Sequence, residues 1–159
     1  MSEEPVLTCD PPAPEGWTLF DFRGGYIDRN GPLFFREDGP AGFQLGMRIE
    51  HRHCNPRGVG HGGWLMTFAD MMLPMAAHRH PKVGRNFLPT VSMSVDFLAP
   101  APLGSWLNSR TDILRVTRNL VFAQGLIYAD ETLVARVNGV FKIGEPIAKL
   151  IGDADKERA

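Results

Sequence analysis

The sequence predicts an α+β fold in which a strongly bent antiparallel sheet wraps one long central helix, and three observations lead there. Residues from Gly62 to about His80 are apolar on nearly every side, the mark of a helix enclosed by protein rather than lying on a surface. Two segments before that helix and four after it read as strands, most of them alternating apolar and polar residues. A flat sheet covers only one side of a helix, so a helix enclosed all round requires a sheet that curves about it.

Each element follows from its own residues. Residues 1–16 carry Glu3, Glu4 and Asp10 among prolines and can bury little, which predicts a flexible leader. A single domain is expected over 17–145 and a polar tail over 146–159. Leu33–Glu37 reads as a short strand, and Asp38-Gly39-Pro40-Ala41-Gly42 has the chemistry of a turn. Phe43 to His51 then sets Phe43, Leu45, Met47 and Ile49 against Gln44, Gly46, Arg48 and Glu50, so the two runs form a hairpin with one buried face. Pro74 lies inside the helix, where a missing N–H and a crowding ring predict a kink. His78, Arg79 and His80 suit the negative end of the helix dipole before Pro81. Thr90–Leu98 places Val91, Met93, Val95 and Phe97 on one face and Thr90, Ser92, Ser94 and Asp96 on the other. Turns at Pro100–Gly104, Arg118-Asn119 and Asp130-Glu131 separate the strands Ser105–Val116, Leu120–Ala129 and Leu133–Ile143. Edge strands and a half-covered helix would offer a second copy a place to dock.

Composition narrows the function. The 159 residues suffice for one domain with a substantial core. A net charge of −1 gives no reason to expect nucleic acid or an anionic membrane as a partner. Met1–Pro14 lacks the basic start and apolar stretch of a secretory signal, and the run Trp64–Ala77 is interrupted by Asp70 and Pro74 and too short to span a bilayer. The two cysteines, Cys9 and Cys54, make no disulfide framework. A cytoplasmic protein is expected. His51 and His53 would share a face of a strand beside Cys54, but no third ligand stands at a zinc spacing, so no metal is expected. No P-loop or dinucleotide fingerprint occurs, so no nucleotide cofactor is expected either.

The chemistry concentrates in Asn55-Pro56-Arg57-Gly58-Val59-Gly60-His61-Gly62-Gly63 and in Asp70 beyond it. A glycine-rich loop that delivers the chain to a helix start leaves amide N–H groups free for a polarised oxygen. Asp70 stands among Trp64, Leu65, Met66, Phe68, Ala69, Met71, Met72 and Leu73, and a carboxylate buried there without a partner would be costly, which makes it a candidate working group. The bland readings are close helix–sheet packing at Gly62-Gly63 and an acid satisfied by a neighbouring hydroxyl at Asp70. Together the two features suggest a site that polarises a carbonyl and attacks it.

Asn55, His61-Gly62-Gly63 and Asp70, with Leu98-Ala99-Pro100 and Leu103-Gly104 further on, resemble the phenylacetyl-CoA (PaaI-like) branch of the hotdog-fold acyl-CoA thioesterases over roughly Leu33 to Ile143. The resemblance implies a hotdog fold and hydrolysis of an acyl- or aryl-CoA thioester to free acid and CoA. It implies Asp70 as nucleophile or general base, the Gly62 amide as the group that polarises the carbonyl, and Asn55 as a hydrogen-bonding partner at the reacting centre. Thr90 would help place the attacking water, and His61 would shape the turn. The sequence departs from relatives that use Glu with a Thr one turn later, since position 74 is Pro74.

Helix geometry adds a constraint of its own. Gly62 and Asp70 are separated by roughly 12 Å along a helix axis, too far for one carbonyl to lie within ~3 Å of both. If both act on one carbon they must come from different chains, which predicts a homodimer, or a homotetramer built from it, with sites at the dimer interface. Gly63, Arg85, Arg115 and Arg118 are candidate contacts for the coenzyme, CoA being part of the substrate and not a cofactor; the arginines are otherwise ordinary surface charge. Phe20, Phe22, Trp64, Phe68, Phe87 and Trp106 line either an acyl pocket or the core. A non-catalytic acyl-CoA-binding module on the same scaffold, or a hydratase, are the rival readings.

Overall fold

A helix this apolar needs cover on several sides, and the sheet supplies it. The computed structural model describes residues 11–21, 25–37 and 42–149. In it, helix α2 (Gly62–Ala77) lies against a seven-stranded sheet whose neighbouring strands are all antiparallel. The strands are β1 (Thr18–Leu19), β2 (Phe34–Arg36), β3 (Gln44–Arg48), β4 (Thr90–Phe97), β5 (Trp106–Val116), β6 (Leu120–Ala129) and β7 (Thr132–Lys142). Their order across the sheet is β1-β2-β3-β5-β6-β7-β4, so β4 follows the helix in sequence yet, among the described residues, pairs only with β7 and forms an edge. This is the α+β hotdog architecture expected from the sequence.

Small residues on the inner face of the sheet let the helix settle. Gly125 on β6 and Gly139 on β7 lie beneath Met72 and Leu73; a Cβ on Gly125 would stand 2.7 Å from the Arg110 carbonyl, and one on Gly139 2.7 Å from the Leu73 side chain. Phe68, Met72 and Leu73 are fully buried in that floor with Leu107, Ile127, Val137 and Phe141. Helical structure runs through Pro74, and the His78 N–H closes onto the Pro74 carbonyl at 3.0 Å.

Several expectations change in detail. The strand expected over Phe43–His51 ends at Arg48, and His51–His53 form a 3-10 turn instead. Both faces of β3 are covered around Gln44–Gly46, because Trp17, Phe34 and Trp106 form a second, smaller apolar cluster on the outside. A short helix, α1 (Gly25–Asn30), lies between β1 and β2. Of the residues expected in a flexible leader, Pro11 and Pro12 hold Arg48 through their carbonyls, at 3.3 and 2.8 Å, and Ala13 packs on the outer cluster. The rest of that leader (1–10), the turn at 38–41, Phe22, and residues 150–159 of the tail lie outside the described residues.

The helix is not enclosed all round. Gly63, Met66, Thr67 and Asp70 form one stripe of α2 that its own chain leaves partly or wholly open, and β4 beside it is exposed along most of its length. Val91 is 60% exposed and Phe97 51%, so both ends of this edge strand present bare apolar side chains in the single chain, while Met93 and Val95 between them are half-buried against the core. No described helix is long and apolar enough to cross a membrane.

His53 ties the segment before α2 to α1. Its ring stacks on Trp64 with centroids 4.7 Å apart, Nδ1 accepts the Glu50 N–H at 3.0 Å, and Nε2 faces the Asn30 carbonyl at 2.7 Å. That pattern assigns the proton to Nε2 and requires a neutral ring. Burial pushes the imidazole down from 6.5 to about 4, so the unfolded chain binds a proton between those values that the folded chain does not. Stability from this group is complete above pH 6.5 and declines as the pH falls toward 4, by on the order of 2–3 kcal/mol. Denaturant titrations from pH 7 to pH 4 should record that decline, and His53→Gln should flatten it.

Candidate active site

The segment leading into α2 is built from backbone hydrogen bonds. The Asn55 N–H reaches the Val59 carbonyl at 2.9 Å, the Gly58 N–H reaches the Asn55 carbonyl at 2.9 Å, and the Asn55 side-chain oxygen accepts the Arg57 N–H at 2.9 Å. Gly58 supplies the left-handed conformation this tight turn requires, at φ 75°. The Gly60 N–H then bonds the Ala101 carbonyl (2.7 Å) and the His61 N–H bonds the His53 carbonyl (2.8 Å), which fixes where the helix begins. His61 is the N-cap: its Nδ1 accepts the Gly63 N–H at 2.9 Å, while its carbonyl accepts from Trp64 and Leu65.

Gly62 is left over. Its amide has no acceptor among the described residues, and it opens on a cleft of about 350 Å³ lined by Gly60, Leu65, Phe97, Leu98 and Ala101. A Cβ at position 62 would stand 3.3 Å from the Phe97 ring, so the helix start lies against the far end of β4. A free amide at a helix N-terminus, beside an open cleft, suits an oxygen that gains negative charge.

Asp70 lies on the open stripe of α2 and is half-exposed, not buried as its neighbours in sequence suggested. Its Oδ1 accepts the Thr90 hydroxyl at 2.6 Å. Strict alternation would turn Thr90 away from the helix with Ser92 and Ser94. The register of β4 against β7 shifts between Thr90 and Ser92, however: Thr90 pairs with Phe141, a core residue, and Ser92 with Val140. This bulge brings Thr90 to the inner face, where it meets the acid.

The two candidate groups therefore sit at opposite ends of β4, Gly62 beside Phe97 and Asp70 beside Thr90. The other expected contacts are spread more widely. Arg85 lies in the loop that leads to Thr90, and the Arg118 turn adjoins the end of β7, to which Asn119 is bonded through Ile143. Both are exposed at the Thr90 end of the sheet. Arg115 pairs with Phe122, on the sheet face turned away from α2, and is not brought to Asp70 of its own chain. Gly63 spends its amide on the His61 cap. Trp64, Phe68 and Trp106 are buried in packing and Phe20 is half-buried against the core beside Phe35, whereas Phe87 is 51% exposed. No cluster of three metal-ligating side chains occurs among the described residues.

Two residues escaped the sequence reading. Thr67, one turn before Asp70 on the open stripe, accepts or donates a hydrogen bond with the Tyr26 hydroxyl at 3.2 Å. Thr67 was visible in principle from its i, i+3 spacing to Asp70. Tyr26 was not, because α1 is a single short helix without a periodic pattern.

An antiparallel sheet carrying one long helix, with a free amide at the helix start and a hydroxyl-bound acid on its open face, is a hotdog fold with groups suited to a polarised carbonyl. Comparison with known proteins agrees. Residues 57–135 match the Thioesterase superfamily. A Pseudomonas aeruginosa protein provisionally named an esterase is 34% identical over 132 residues, 82% of this chain and 96% of that one. Thioesterase superfamily member 2 from Mus musculus has the same fold (TM-score 0.64, 22% identity, covering 80% of this chain and all of that one). So does the E. coli PaaI protein from the phenylacetic acid degradation operon (TM-score 0.57, 20% identity, covering 63% and 74%). The chain belongs to the thioesterase superfamily and is a thioester hydrolase.

The cap that frees Gly62 is testable. His61→Ala should cost about 1 kcal/mol of stability, read from denaturant midpoints, whereas His61→Asn should retain most of it.

Proposed function

We propose that this chain hydrolyses an acyl-CoA thioester to a free acid and CoA at two equivalent sites of a homodimer, each combining Asp70 and Thr90 of one protomer with the partner's Gly62 amide. The observation that carries the proposal is the placement of Gly62 and Asp70 at opposite ends of an exposed edge strand. A twofold axis passing near the middle of β4, about Met93 and Ser94, superposes one end of the strand on the other end of its twin. Antiparallel pairing of two such strands covers Val91 and Phe97, and it brings each acid to an amide that its own helix cannot reach.

The reaction follows from the groups present. The thioester carbonyl oxygen accepts the Gly62 N–H, which stabilises the charge that builds as the carbon becomes tetrahedral. The single Thr90 proton is given to Asp70 Oδ1, so the Thr90 oxygen retains lone pairs that can receive a hydrogen from water. Water held between Thr90 and the free Asp70 oxygen loses its proton to the carboxylate as its oxygen bonds to the carbonyl carbon. Collapse of the intermediate breaks the C–S bond, and the proton leaves with the CoA thiolate. Asn55, at the entry to the helix, has an amide N–H₂ with which to contact the reacting group, and His61 holds the turn. Arg85 and Arg118, at the Thr90 end, suit the coenzyme phosphates.

Asp70→Asn keeps the shape of the side chain and removes the base. It should lower kcat for free-thiol release by about 10²–10⁴ with folding and assembly unchanged. Val91→Arg introduces charge on the exposed edge, and it should yield a folded monomer that releases thiol at a small fraction of the wild-type rate. A monomer working at the full rate, an active Asp70→Asn protein, or binding of acyl-CoA without thiol release at any chain length would each overturn the proposal.

A further inference from the structure

The open stripe of α2 carries more than the acid. Thr67 lies on it one turn before Asp70, and its hydroxyl has two neighbours: the Gly63 carbonyl at 3.1 Å and the Tyr26 hydroxyl at 3.2 Å. A threonine hydroxyl has one proton, and a carbonyl can only accept. With that proton directed to the Gly63 carbonyl, the Tyr26 hydroxyl must be the donor to Thr67. Its proton is then committed, and its oxygen keeps lone pairs with which to accept. Tyr26 is 62% exposed, an unusual state for an aromatic ring whose tip is pinned by a hydrogen bond to a neighbouring helix.

From these contacts we infer that Tyr26 Oη reads a hydroxyl on the acyl part of the substrate, and that the chain favours short hydroxyacyl thioesters over the corresponding plain acyl ones. The inference rests on the acyl-CoA thioesterase reading above and adds a substrate class to it. Distance selects where the hydroxyl must be. Side chains three residues apart on a helix stand about 5–6 Å apart at Cβ, and the Tyr26 oxygen is one hydrogen bond beyond Thr67. Tyr26 Oη thus lies within roughly 9 Å of the Asp70 carboxylate, while the carbon under attack, one water beyond that carboxylate, lies about 4–5 Å from it. A hydroxyl roughly two to four carbons beyond the carbonyl carbon, donating to Tyr26, spans the remainder. A hydroxyl at that position meets an acceptor, whereas an alkyl chain desolvates the phenol oxygen without replacing its hydrogen bond to water.

The test is free-thiol release from hexanoyl-CoA and from 3-, 4- and 5-hydroxyhexanoyl-CoA by the wild-type protein and by Tyr26→Phe. Wild type should favour at least one hydroxylated substrate over hexanoyl-CoA by about tenfold in kcat/KM, and Tyr26→Phe should bring that ratio close to one. Thr67→Val, which leaves the phenol unpinned, should reduce the ratio partway. No preference for a hydroxylated substrate in wild type, or a ratio that Tyr26→Phe leaves unchanged, overturns the inference while the thioesterase reading stands. Absence of thiol release from all four substrates, from a longer acyl-CoA and from phenylacetyl-CoA overturns both.

Discussion

An α-helix is a rigid rod at the scale of an active site, and that rigidity governs this molecule. The amide that can polarise a carbonyl is at the first residue of α2, and the acid that can serve as base is two turns further along. No rotamer closes a gap of roughly 12 Å between them. The sheet repeats the separation, because β4 contacts the helix start through Phe97 and the acid through Thr90. The uncovered edge strand and the open helix stripe both lie between these two groups.

The packing beneath holds the amide and the acid in place. Gly125 and Gly139 admit Met72 and Leu73 into the sheet, so the buried side of α2 is fixed against β6 and β7 while the opposite side stays open. His53 and the Asn55–Gly58 turn fix the helix start, and His61 takes the Gly63 amide so that the Gly62 amide remains free. The bulge at the start of β4 turns one threonine toward the acid. Each of these devices is local, and each sets the direction of one polar group.

Much of this was legible in the residues themselves. The four strands after the helix, the helix and its start at Gly62 follow from alternation, apolar content and glycine placement, and these signals are strong because packing and local preference agree. Less was legible where tertiary contacts override pattern. The outer face of β3 looked polar but is covered by Trp17 and Trp106, which approach over Gly46. Alternation put Thr90 on the wrong face, since a bulge leaves no mark in a single sequence. The helix looked enclosed because apolar residues surround Asp70 in sequence, yet the Met66 and Asp70 side of α2 is open in the single chain. Apolar residues on an open helix face have the same composition as those covered by their own chain, so the sequence does not separate them.

Recovery of activity from two inactive chains tests the two-chain site most directly. Asp70→Asn removes the acid, and Gly62→Pro removes the amide at a first helical position where proline is well tolerated. Co-expressed in equal amounts, the two chains form mixed dimers in which one site joins an intact acid to an intact amide. Random pairing should then return about a quarter of the wild-type rate of thiol release from two proteins that are each inactive alone. Mixed dimers that form and release no thiol would contradict a site shared across the twofold axis.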